Sequence, residues 1–222
     1  MATGRQEPAG TLVDVAARRV RDAIFSGALR PGEKIVEEQL CTDLRISRAP
    51  LREALRLLSQ QGLVHYVPRR GTRVAEWSTE DVLQLFALRQ VLERHAMESV
   101  LPLADVEQAI VPVRDALDRM RSATHDLDRD DAHRAFHAAV VGLAHNRQLD
   151  IALEPILLKL QLPMAMNLRE EARHHRADDG IARHEAILSA LRRNDAGTVV
   201  AALESHGHLH YLDLDRRSSP NS

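Results

Sequence analysis

Apolar side chains at Leu12, Val15, Ala16, Val20, Ala23 and Ile24 recur at three- and four-residue intervals. This spacing predicts an amphipathic helix from Thr11 to Ser26, ended by Gly27 and followed by a turn at Pro31-Gly32. A short helix is expected from about Val36 to Leu44. Ser47 then stands as an N-cap before a helix to about Gln60 that presents Leu51, Ala54, Leu55 and Leu58 on one face. After Gly62 the pattern shortens to two strand-like pieces, Leu63–Val67 and Thr72–Ala75, around a turn at Pro68-Arg69-Arg70-Gly71. Helix, helix, turn, helix and hairpin is the order of a winged helix-turn-helix, whose second paired helix enters the major groove.

Beyond Trp77 the helical period dominates. Ser78 caps a helix to about Leu101 with Val82, Leu85, Phe86 and Leu92 as its stripe, and Arg89 lies on that stripe four residues before Glu93. An inward arginine is costly unless paired, so two readings stand: a bridge to Glu93, or a partner for an anionic effector. A helix over about Leu127–Ala144 places His133 and His137 one turn apart among Phe136, Val140 and Ala144. His184 sits among Ile181, Ile187, Leu188 and Leu191, and His206 among Val199, Ala202, Leu203 and Leu209. Each is a core histidine or a ligand of a shared cation; neutral imidazoles suit zinc, nickel or a similar metal. His210 is a second candidate near His206, while His95, His174, His175 and His208 are expected at the surface.

Composition narrows the class. At 222 residues with 44% apolar, 28% charged and only 3% aromatic positions, the chain suits one or two domains built mainly from packed helices. It lacks a membrane-spanning apolar run and a signal-peptide pattern at its start, and its single Cys41 reads as a small buried residue, so a cytoplasmic location is expected. Residues 1–9 read as a disordered arm, 10–76 as the winged helix, 77–213 as a helical effector, metal and dimerisation domain, and 214–222 as a disordered tail.

Charge separates the two parts. Residues 1–76 hold 13 Lys and Arg against 9 Asp and Glu, whereas the remainder holds 17 against 23. Of 12 histidines only His65 precedes residue 77. Arg52 and Arg56 project from the outer face of the second paired helix, Arg48 sits near its N-terminus, and Arg69, Arg70 and Arg73 make the hairpin basic, as binding to a polyanion requires.

These residues carry a family resemblance. I-x-x-G-x-L-x-P-G from Ile24, E-x-x-L from Glu37, S-R-x-P-L-R-E-A-L from Ser47, G-L-V from Gly62 and G-x-x-V from Gly71 resemble the GntR family of bacterial regulators. R-x-x-L-E from Arg89, F-H-x-A-V from Phe136, H-N-x-x-L from His145 and H-x-x-I-L-x-A-L from His184 resemble the all-helical FCD ligand domain of the FadR-like subgroup. The resemblance implies a mainly α fold, a winged helix-turn-helix followed by an FCD-like bundle. It also implies that Arg48 and Arg52 are the recognition-helix arginines, with Ser47 capping and Ala49 near the bases. Arg45, Arg69, Arg70 and Thr72 are expected DNA contacts beside them, and a divalent metal, zinc first, is expected at His133, His137, His184 and His206. Two positions depart from the family pattern: Arg45 stands where glycine is common, and His133 where Asp or Asn is common.

The expected function is a ligand-responsive repressor, a homodimer on a pseudo-palindromic operator in double-stranded DNA, with a small carboxylate effector at Arg89. A DNA-binding protein with purely structural histidines is the alternative. A metalloenzyme is disfavoured because no glutamate follows the H-E-x-x-H pattern around His133 and His137.

Overall fold

The computed structural model describes residues 11–174 and 178–206, and within them the side chains of all but 126, 162–174, 178 and 179. The expected N-terminal arm and C-terminal tail lie outside these residues, as do His208 and His210 and the side chains of His174 and His175. The chain divides into two compact units that meet between Glu76 and Trp77.

The first unit contains α1 (Leu12–Phe25), α2 (Glu37–Leu44), α3 (Arg48–Gln60), β1 (Val64–Val67) and β2 (Gly71–Val74). Thr11 and Asp14 cap α1 reciprocally, each side chain accepting from the other's backbone N–H. Helix α1 buries Ala16, Val20, Ile24 and Phe25, and α3, which packs on it, buries Leu51, Ala54, Leu55 and Leu58. The two strands pair antiparallel with Val64 opposite Val74 and Tyr66 opposite Thr72. A third extended piece, not foreseen, joins them: Ile35 N–H donates to Thr72 O at 2.9 Å, and Val74 N–H to Glu33 O at 2.9 Å. The segment before α2 thereby covers an edge of the wing that would otherwise present unpaired backbone groups.

The second unit contains α4 (Thr79–Val100), α5 (Val106–Ala109), α6 (Val111–Ser122), α7 (Asp126–Gly142), α8 (Arg147–His174), α9 (Asp178–Arg192) and α10 (Ala196–Glu204). Ser78 and Asp81 form the capping box of α4. Its buried stripe is Val82, Phe86, Arg89, Glu93, Ala96 and Met97, so a charged pair occupies two successive turns of an otherwise apolar face. Helix α4 packs against α7, α8 and α10, and α6 against α7 and α9. The core between them joins Met97, Leu117, Phe136, Val140, Leu153, Leu157, Ile187, Leu191, Val199 and Leu203. Among the described residues, no helix is long and apolar enough to cross a membrane.

Candidate functional site

In the first unit the expected DNA-facing residues divide. Arg45, Ser47, Arg48, Ala49 and Arg52 lie exposed at the start of α3 and on its outer face, and Arg69 and Arg70 are exposed at the tip of the wing. Arg45 adopts φ +53°, the left-handed conformation that closes α2, and Ile46 N–H then reaches Cys41 O at 3.1 Å. Glycine would meet this demand without strain; arginine meets it and adds a cation beside α3. At the wing, Pro68 is followed by Arg69 at φ +64°, and Arg70 N–H donates to Val67 O at 3.0 Å, closing the turn.

Four expectations are corrected here. Ser47 occupies the N-cap position of α3 in extended conformation, but its hydroxyl makes no capping hydrogen bond. Thr72 is buried, not exposed as a contact residue would be, because strand alternation turns Thr72 and Val74 to the inner face of β2. Arg73 folds back, its Nη1 donating to Gly32 O at 2.8 Å, so it braces the hairpin. Cys41 is half-buried and free.

In the second unit the four expected histidines come together. His133, His137, His184 and His206 are all buried, and one ligating nitrogen from each lies within 4.8 Å of the others. His137 Nε2 approaches His133 Nε2 at 3.3 Å and His206 Nε2 at 3.1 Å. His133 and His137 reach one another because they are one turn apart on α7. His184 comes from α9, and His206 follows the C-cap Ser205 of α10, just past the helix on which its spacing placed it.

Burial, the largest cause, pushes all four imidazoles below their ordinary range; Arg89 adds to it in each, and neighbouring imidazoles add to it for His133, His137 and His206. His184 falls to about 4 even though its bond to Gly180 O opposes the shift. That bond, Nδ1–H to the Gly180 carbonyl at 2.7 Å, leaves Nε2 as the lone-pair nitrogen, and Nε2 is buried with no hydrogen-bond partner among the described residues. His137 is oriented likewise by Glu93, whose Oε1 accepts from Nδ1 at 2.7 Å. Neutral imidazoles with converging lone pairs, two of them (His137 and His184) fixed through the outer nitrogen, are the donor chemistry a divalent transition metal needs. In a tetrahedral zinc site, ligand nitrogens stand about 3.3 Å apart, close to the two shortest separations seen here.

Arg89 lies beside this centre. It is 1% exposed, its Nε stands 3.4 Å from Glu93 Oε1, and its guanidinium carbon is 5.2 Å from the Phe86 ring centroid. The bridge to Glu93 foreseen from their spacing is therefore present. Yet Arg89 Nε and Nη1 make no hydrogen bond among the described residues. The guanidinium also lines a small cavity with Asp130, His133, Arg134, Leu157, Leu160 and Gln161. Glu93's contact with His137 and Gly180's with His184 were not foreseen; Glu93 was legible only as a partner of Arg89.

Comparison with known proteins agrees with both units. Residues 12–74 match the family of bacterial regulatory proteins, gntR family, and residues 84–209 match the FCD domain. The chain is 31% identical over 186 residues to the Nta operon transcriptional regulator of Aminobacter aminovorans, covering 80% of this chain and 84% of that protein. It is 24% identical over 204 residues to the gluconate operon transcriptional repressor of Bacillus licheniformis, covering 89% and 82%. A solved GntR transcriptional regulator from Rhodococcus sp. RHA1 shares the fold at 24% identity with a TM-score of 0.73, covering 94% of this chain and 97% of that one. The chain thus belongs to the GntR family of bacterial regulatory proteins, with an FCD domain following its winged helix, and is a transcriptional regulator and not an enzyme.

Proposed function

We propose that this regulator is a metal-containing, ligand-responsive repressor. The observation that carries the reading is the convergence of four buried, neutral imidazoles with an unpartnered Nε2 on His184. His133, His137, His184 and His206 hold a divalent transition metal, zinc first and nickel as the alternative. Such an ion supplies a positive centre to which a carboxylate can bind. Arg48 and Arg52 read bases in the major groove, Ala49 lies near the base edges, Ser47 begins the helix, and Arg45, Arg69 and Arg70 hold phosphates.

Arg89 is the protein's own cation for a small carboxylate effector. A relative that represses a gluconate operon supports a hydroxy-acid class of effector. The cavity beside Arg89 is about 10 Å³, room for one water, so admitting a carboxylate requires its wall to move. That movement gives effector binding a structural consequence. Leu88 and Val91, exposed one turn apart on α4, support a homodimer, whose two-fold axis would match a pseudo-palindromic operator.

Metal analysis of purified protein tests the reading. Wild type should carry one ion per chain, and His184→Ala should carry none while keeping its helical content. Carboxylic acids added to the metal-loaded protein should weaken its binding to DNA flanking its own gene. Protein without metal, and with no thermal shift in zinc or nickel, would instead be an effector-independent DNA-binding protein with structural histidines.

A further inference from the structure

The four imidazoles of the cluster are not held alike. His184's outer nitrogen is engaged by a backbone carbonyl, which substitution leaves in place, whereas His137's is engaged by a side-chain carboxylate reaching across from α4. We propose that Glu93 is the positioning residue of the metal centre, setting which nitrogen of His137 faces the cation and joining that imidazole to Arg89. The proposal rests on the metal-binding reading above.

Glu93 and His137 are both fully buried. A neutral imidazole carries one N–H, and the 2.7 Å contact of Nδ1 with Glu93 Oε1 places it on Nδ1. Nε2 then keeps its lone pair toward the Nε2 atoms of His133 and His206. With the opposite tautomer, the hydrogen would point into the cluster and the ligand would be lost. The carboxylate also raises the basicity of the imidazole it holds, as outer partners of metal-bound histidines do.

The same oxygen, Oε1, is 3.4 Å from Arg89 Nε. Arg89 and Glu93 are successive turns of one helix, and Arg89 lines the cavity that His133 also borders. One carboxylate oxygen therefore stands between the guanidinium that meets an anion and the imidazole that meets a cation. An anion drawn onto Arg89 weakens its hold on Glu93, leaves more of the carboxylate's charge to His137, and so favours the metal. By linkage the metal favours the anion to the same degree.

Zinc affinity of the full chain, measured by competition with a chromophoric chelator, tests this. Glu93→Gln keeps an oxygen that can accept from Nδ1 but loses the charge, and should bind zinc about 10-fold more weakly; Glu93→Ala loses both and should approach a 100-fold loss. His184→Ala, which leaves both partners of the Glu93–His137 hydrogen bond in the chain, should abolish binding. Nitrogen-15 shifts should show His137 of metal-free wild type protonated on Nδ1, and that preference should be lost in Glu93→Ala. If wild type binds no zinc, the metal reading fails and this one with it. If wild type binds, His184→Ala does not, and both Glu93 variants match wild type, only the Glu93 proposal is overturned. Should Glu93→Ala not fold, Glu93→Gln and the histidine spectrum decide, and His137 protonated on Nε2 overturns the proposal.

Discussion

Arg52 on α3 is tied to Glu37 on α2 through a side-on ion pair, Nε to Oε2 at 3.0 Å. A guanidinium gripped through Nε keeps its terminal Nη groups available, and those groups form the fork that pairs with guanine O6 and N7. Arg52 is exposed and Glu37 only half-buried, so the pair adds little stability; its consequence is orientation. Arg52→Ala is expected to weaken binding to a specific operator by about 10- to 100-fold while weakening binding to unrelated DNA much less. Fluorescence anisotropy on both DNAs measures the difference, and equal losses would reassign Arg52 to phosphate contact.

The wing arginines should behave unlike one another. Arg70 is exposed at the tip, and Arg70→Ala should lower affinity for all DNA sequences alike and reduce the salt dependence by about one phosphate contact. Arg73 is committed to Gly32 O at 2.8 Å, so Arg73→Ala should cost about 1 kcal/mol of stability. Salt titrations and urea unfolding of the two variants separate these roles; a salt-slope change in Arg73→Ala without destabilisation would contradict the assignment.

Arg45 holds φ +53°, where a side chain is disfavoured. Arg45→Gly should therefore raise stability by up to about 1 kcal/mol, relief of the left-handed strain being partly offset by the freer unfolded chain. The same variant should weaken DNA binding if the side chain holds a phosphate. Unfolding and anisotropy on one preparation show whether stability and affinity move in opposite directions.

Without metal, the histidine centre should make stability fall as solution turns acidic. His184 has a folded value of about 4 against 6.5 for an ordinary imidazole. Between those values the unfolded chain takes up a proton that the folded chain refuses, so its contribution is fully present above pH 6.5 and is lost on approach to pH 4. The loss is about 3 kcal/mol for His184, and the three other imidazoles shift in the same direction. Glu93 acts oppositely: burial raises its carboxyl, so acid stabilises that one group. Urea unfolding in EDTA at pH 7.5 and pH 5 should therefore show the protein weaker at pH 5; equal stability would mean the imidazoles are not buried as neutral groups.

Local pattern was enough for much of this molecule. The spacing of Leu51, Ala54, Leu55 and Leu58 marks the inner face of α3, since a helix repeats every 3.6 residues and one face must leave water. Ser78 with Asp81, and Pro68 before Arg69, mark a helix start and a turn through chemistry confined to a few residues. His133 and His137 share a face by their separation alone, and even the Arg89–Glu93 bridge follows from one helix.

What lay beyond the sequence were the relationships between segments distant along the chain. Nothing near Lys34 shows that its segment will cover the edge of β2, and nothing in the local pattern shows that Thr72 ends up buried. Arg73 has the composition of a DNA contact, yet Gly32 claims it. Most of all, Glu93's second partner is 44 residues away on another helix. Periodicity records which side of a helix faces inward, because burial of apolar surface is non-directional and repeats with the helix. It carries no record of which groups meet there, because hydrogen bonds and metal sites depend on distance and angle, and those exist only once α4, α7, α9 and the end of α10 have packed.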